Sequence, residues 1–112
     1  MNPEMVLVCD VDDTICFTTA RDYAKSIANV PVIEKLRKAK ELGYFIVLHT
    51  ARGQGRSNGN VASVEEEVKA EIEAMCIKFD VPFDEIVLGK VWAKYYIDDK
   101  ALRPSEFVSV EL

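Results

Sequence analysis

The 112-residue chain can bury one substantial core and is too short for a second, so residues 1–112 are expected to form a single domain. Hydrophobic residues make up 49% and charged residues 29%, an ordinary globular balance, and no run approaches the roughly 20 apolar residues of a membrane span. The net charge of −5 argues against a nucleic-acid footprint but leaves a phosphorylated substrate open, because a bound cation can supply positive charge locally.

No basic segment followed by a long apolar one opens the sequence, so no signal peptide is expected and the chain reads as cytoplasmic. The three cysteines, Cys9, Cys16 and Cys76, are odd in number and lack CxxC spacing, which predicts buried, reduced thiols. A catalytic cysteine would want a histidine base nearby, and His49 is the one histidine in the chain.

Residues 5–10 (MVLVCD) form the first predicted strand, an apolar run ending in an acid. A helix follows, with Pro31 suited to a first helical position, Val32, Leu36 and Ala39 at helical spacing, and Gly43 suited to the carboxyl cap. Residues 45–50 (FIVLHT) give a second strand ending in a hydroxyl, and residues 53–60 (GQGRSNGN) read as a mobile polar loop.

Ser63 and Glu66 then match a capping box, and Glu65 to Glu67 put negative charge on the first turn, where the helix dipole favours it. Val64, Val68, Ile72, Met75 or Cys76, and Phe79 make the apolar stripe of that second helix. The stripe reads as core and the acidic run as a solvated helix start. Residues 85–88 (EIVL), leading into Gly89-Lys90, and residues 95–99 (YYIDD) are the third and fourth strand-like runs.

These runs are nearly continuous in apolar character, which marks strands buried on both faces. The order of strands and helices predicts an α/β fold: a doubly wound, mainly parallel sheet with right-handed crossovers. Ligands of such sheets bind beyond the carboxyl ends of the strands. Asp10, Thr50, Lys90 and the Asp98-Asp99 pair all fall at or just past such ends, so four segments are expected to converge on one site.

Within residues 10–14 (DVDDT), Asp10 and Asp12 share a side of the chain if it turns just after Asp10. Two carboxylates held close repel each other, and a divalent cation is the usual remedy. Adding Asp98 and Asp99 gives the oxygen-rich ligand set that Mg²⁺ prefers. A carboxylate nucleophile, a second carboxyl group, a hydroxyl, a lysine and a metal-binding pair suit phosphoryl transfer, which needs positioning and charge neutralisation around an in-line attack.

The residues DVDDT (10–14), Thr50 in LHTAR, Lys90 in LGK and the acids of YIDDK (96–100) resemble, in order, the four motifs of the haloacid dehalogenase-like (HAD) phosphatase superfamily. More narrowly, GNV (59–61), VPFDEIVLGKVW (81–92) and YIDDKALRPSEF (96–107) resemble its small capsule biosynthesis phosphatases. The resemblance implies a HAD-like Rossmannoid core and an Asp10 nucleophile that becomes phosphorylated and also binds Mg²⁺. It implies that Asp12 protonates the leaving group, then deprotonates the attacking water, with its backbone carbonyl on the metal. Thr50 and Lys90 would hold the transferring phosphoryl oxygens. Asp99 would be the direct metal ligand of the final pair, with Asp98 behind it. An acid at the position of Asp12 favours fast hydrolysis over a long-lived phospho-aspartate.

Asp13 stands where the superfamily commonly has glycine, and its part is open between metal binding, turn capping and solvent. The sequence ends soon after the fourth motif, so a final helix is not expected. Arg52 is open between a substrate phosphate or carboxylate and a surface acid. His49 reads as a packing residue beside Thr50, Arg103-Pro104 as a shaper of the C-terminal turn, and Trp92, Tyr95 and Tyr96 as core or rim.

The segments 15–30 and 52–62 are too short to fold as a cap, so the site is expected to be capless and open, unless a neighbouring subunit or the glycine-rich loop covers it. The resemblance points to a phosphorylated small molecule or glycan, such as a sugar-phosphate intermediate of polysaccharide biosynthesis. The competing readings are a nucleotide or polynucleotide phosphatase and, outside enzymes, a receiver-like phospho-aspartate signalling domain. No nucleic-acid or membrane partner is expected, and a homo-oligomer is compatible with the sequence.

Overall fold

A computed structural model describes residues 2–19 and 22–112. The elements in chain order are β1 (Val6–Cys9), β2 (Cys16–Phe17), β3 (Ile27–Ala28), α1 (Val30–Glu41), β4 (Phe45–His49), α2 (Glu65–Phe79), β5 (Glu85–Val87) and α3 (Pro104–Ser109), with short 3-10 turns between some of them. The main sheet runs β1-β4-β5. Both pairings are parallel, with Val8 opposite Val47 and Leu48 opposite Ile86. Each parallel step needs a crossover, and α1 and α2 supply them. The architecture is therefore the α/β class expected, with three strands in its parallel sheet.

Both crossover helices form where apolar periodicity places them. Val32, Ile33, Leu36 and Ala39 of α1 and Val68, Ile72, Met75 and Cys76 of α2 are buried. They join Ile46 and Leu48 of β4, and Ile86, in one core cluster. Because strand side chains alternate, Ile46 and Leu48 share one face of β4, while Val47 stands on the other. Its register partner Val8 is 64% exposed. Burial of every strand on both faces, expected from the unbroken apolar runs, is thus not realised along β1.

Three local readings change. Ser63 does not cap α2: its hydroxyl donates to the Asn60 carbonyl at 2.8 Å, inside a 3-10 turn over Val61–Val64 that precedes the helix. The strand expected over 95–99 does not form, because that segment finds no sheet partner; Tyr95 and Ile97 are 71% and 98% exposed. The carboxyl-terminal residues do form a short helix, α3, whose Phe107 and Val108 pack against the core. Lys35 of α1 donates to the Val110 carbonyl just beyond it.

Between β1 and α1, the described residues form a small antiparallel ladder of β2 and β3 and a 3-10 turn at Tyr23–Lys25. Residues 53–60 are folded into successive turns, with Ser57 N–H donating to Gly53 and Gly59 N–H to Gln54. The cysteines are free, Cys16 and Cys76 buried and Cys9 half-buried.

Candidate active site

The chain turns directly after β1. Thr14 and Ile15 both donate their N–H groups to the Val11 carbonyl, and Asp13 takes a left-handed conformation with φ +63° that aspartate tolerates better than most residues. Val11 is driven fully into the core. Its neighbours Asp10 and Asp12 consequently face the same way, into a cavity of about 800 Å³ that Asp13, Thr50, Ala51 and Arg52 also line.

Thr50 is fixed from two sides. Its N–H donates to Val87 at the end of β5, and its carbonyl accepts from the Lys90 N–H at 3.2 Å. The latter bond sets the Lys90 ammonium 3.5 Å from an Asp10 oxygen, while Thr14 donates to the other Asp10 oxygen at 3.3 Å. Lys90 also lies over the Tyr96 ring at 4.2 Å. Asp10, Thr50 and Lys90, chosen from three strand ends, are thus neighbours.

Arg52 is the most constrained charge of the site. Its side chain is 1% exposed and holds Asp12 through two hydrogen bonds, 3.1 Å from Nε and 2.7 Å from Nη2. It stacks on Tyr23 at 4.0 Å and reaches Glu71 at 3.6 Å. Burial works against its charge, but the hydrogen bonds and charge of Asp12 more than offset this and raise its pKa above the ordinary value. The acids that engage the guanidinium, Asp12 and Glu71, line the cavity, where the sequence had offered a surface acid.

The final acidic pair is not brought to this cluster. Asp98 turns back on its own segment, accepting from the Lys100 N–H at 2.8 Å, and both Asp98 and Asp99 are exposed and absent from the cavity lining. Among the described residues, no three His, Cys, Asp or Glu side chains gather as an ion site would require. Asp10 and Asp12 line the cavity, and Asp98 and Asp99 are outside its lining.

His49 pairs with Val87 in the sheet and does not line the cavity. Trp92 and Tyr96 do line it, as rim residues. Tyr23, Arg56, Glu67 and Glu71, which also line it, were not singled out as site residues. Arg56 bonds Glu71 at 2.6 Å and Glu67 at 3.0 Å. The available signal was the four-residue spacing of Glu67 and Glu71, which puts both on one helix face. Thiol chemistry is disfavoured, since burial foremost, then the Asp10 charge, pushes Cys9 up to about 12.

No family model and no curated protein matches the sequence. Among solved structures, a crystal structure of an MCSG target from Vibrio cholerae aligns with 96% of this chain and 89% of its own at TM-score 0.90 and 39% identity. A Pnkp1/Rnl/Hen1 complex aligns with 84% of this chain at TM-score 0.58 and 22% identity. A structure of the Pnkp1/Rnl/Hen1 RNA repair complex aligns with 96% at TM-score 0.57 and 18% identity. This chain spans only 30% and 31% of the chains matched in those two, and at such identities the likeness is one of fold. At 39% identity over nearly the whole of both chains, the protein belongs to the same family as the Vibrio cholerae protein.

Proposed function

We propose that the protein is a Mg²⁺-dependent phosphohydrolase of the HAD type that acts on phosphate monoesters through an aspartyl-phosphate on Asp10. The observation that carries this reading is the side-by-side presentation of Asp10 and Asp12 to one cavity, with Thr50 on its wall and the Lys90 ammonium 3.5 Å from Asp10. An Asp10 oxygen attacks phosphorus as the ester oxygen leaves with a proton from Asp12. Asp12 then takes a proton from the water that attacks the aspartyl-phosphate, releasing phosphate and restoring Asp10. Thr50 and Lys90 offer a hydroxyl and a positive charge to the phosphoryl oxygens. The Mg²⁺ requirement rests on the acid-rich motifs: Asp10 and Asp12 in the cavity, with Asp98 and Asp99 outside its lining, would hold the ion, which would neutralise the phosphoryl charge.

The substrate we favour is a phosphorylated sugar or glycan intermediate, on the capsule-phosphatase resemblance of residues 81–92 and 96–107. The second reading is a nucleotide or polynucleotide end. It draws on the fold shared with a component of an RNA repair complex and on the aromatic rim of Tyr23, Trp92 and Tyr96. The net charge of −5 weighs against it. A receiver-like signalling role fits less well, since Asp10 follows an edge strand and β4 is central.

The test is turnover of an aryl phosphate with and without Mg²⁺, followed by a panel of sugar phosphates, nucleotides and phosphorylated oligonucleotides. Asp10→Asn should abolish turnover while its circular dichroism stays native. Near-normal turnover in that variant would refute the mechanism.

A further inference from the structure

We infer that the active site is completed by a second copy of the chain, whose segment 91–103 lies as a parallel strand along the free edge of β1 and delivers its Asp98 and Asp99 beside Asp10. The inference rests on the phosphohydrolase reading for what those acids do, and on independent geometry for where they go.

The first observation is the edge itself. β1 is a border of the sheet, entirely apolar (VLVC), and its Val8 is 64% exposed. Natural edge strands carry charge, proline or a cover that blocks further pairing, and an apolar edge without one is a template for another strand. The opposite border, β5, has the charged Glu85 exposed upon it.

The second is the segment that would occupy it. Between residues 93 and 102 no backbone–backbone hydrogen bond joins the segment to another element among the described residues. Every residue from 91 to 103 is exposed, Tyr95 and Ile97 at 71% and 98%, and Tyr96 lines the cavity. The run YYIDD has the form of VLVCD in β1, apolar residues followed by acid. Paired in parallel with β1, it places its acids at the end of the sheet where Asp10 stands.

A third observation selects a second copy over the chain's own edge. The segment is tied at both ends to its own chain: Lys90 is bonded to Thr50, and α3 is docked on α1 with Lys35 on the Val110 carbonyl. The alignment with the Vibrio cholerae crystal structure leaves out only 4% of this chain, fewer residues than the segment contains. At least part of the segment therefore lies inside the aligned region, and in this chain Tyr95 and Ile97 are left exposed. Reciprocal exchange between two copies covers both arms and both edges at once.

Mixing Asp10→Asn with Asp99→Asn chains, unfolded and refolded together, tests this. Each parent should be inactive. Half of the dimers formed would be mixed, each with one site holding both native acids, so the mixture should regain about a quarter of wild-type turnover. An inactive mixture overturns the inference while the wild-type activity still stands. Light scattering gives a readout free of catalysis: the wild type should weigh about twice the 12.6 kDa chain, and Ile97→Asp should reduce it to one chain. A monomeric wild type, or a dimer that Ile97→Asp leaves intact, overturns the exchange even if the protein hydrolyses nothing.

Discussion

Arg52 and Asp12 form a forked pair in which a guanidinium with 1% of its surface exposed donates twice to one carboxylate, at 2.7 and 3.1 Å. The pair joins the end of β4 to the turn after β1 and fixes the direction in which Asp12 faces the cavity. Lysine carries the same charge but has no fork, and the stack on Tyr23 uses the planar guanidinium. Arg52→Lys should therefore cost about 2 kcal/mol of stability, the scale of hydrogen bonds to charged groups. Urea unfolding of Arg52→Lys, Asp12→Ala and the double variant should give a coupling of about 1–3 kcal/mol. Strict additivity would mean the fork contributes nothing.

A second expectation concerns the thiols. Burial pushes Cys9 and Cys76 up to about 12 and raises Cys16 as well. The fold thus holds all three protonated past the ordinary value of 9.0, so this stabilisation is complete below pH 9.0 and is lost as pH rises toward about 12. An aromatic disulfide reagent at about pH 8 should leave the native protein nearly unlabelled and label three thiols in urea. The urea midpoint should fall between about pH 8 and about pH 10. Rapid labelling of native Cys9 would contradict its protonated, half-buried state.

The sequence made the helices and the first half of the site legible, for reasons particular residues show. Val68, Ile72 and Met75 repeat at a period that only a helix satisfies, and they are core. Asp10 and Thr50 end apolar runs, so the strand-end rule found both. Cross-element choices were not legible. Ser63 had the spacing of a cap, yet the Asn60 carbonyl three residues back captured its hydroxyl. β2 and β3 pair over two residues each, too few for any period to register. YYIDD carries strand composition, but composition does not name a partner strand, and within one chain it has none. Arg52 meeting Asp12, Tyr23 and Glu71 depends on three separate elements closing together.

Gly53 supports a third prediction. Its φ of +99° suits glycine, and an added Cβ would sit 3.1 Å from Val68, in the first turns of α2, and 3.3 Å from Val64, in the 3-10 turn just before it. Gly59, at φ +89°, has nothing within 4 Å of the same position. Gly53→Ala combines backbone strain with overpacking and should cost about 2–4 kcal/mol, whereas Gly59→Ala should cost about 1 kcal/mol from strain alone. Thermal denaturation of the two variants compares them directly. Equal losses would show that the loop backs away from α2 freely.

The last prediction uses Asp84, which ties α1 to β4. Its carboxylate meets Lys40 at 2.5 and 2.6 Å and accepts the Ile46 N–H at 2.8 Å. Partial burial pulls its pKa upward, but the Lys40 hydrogen bond and charge, with the Ile46 N–H, outweigh that and hold it below the ordinary 3.8. A depressed carboxylate contributes stability that is fully present above its unfolded value and is lost as pH falls through its folded one. Asp84→Ala should therefore cost about 1–3 kcal/mol at neutral pH, by stripping Lys40 and the Ile46 N–H of their acceptor. Since protonation breaks the ion pair in the wild type too, the gap between the two proteins should narrow once the pH drops below 3.8. Urea midpoints at about pH 7 and about pH 3 measure that gap; a gap equal at both would mean that the charge on Asp84 plays no part in holding α1 to the sheet.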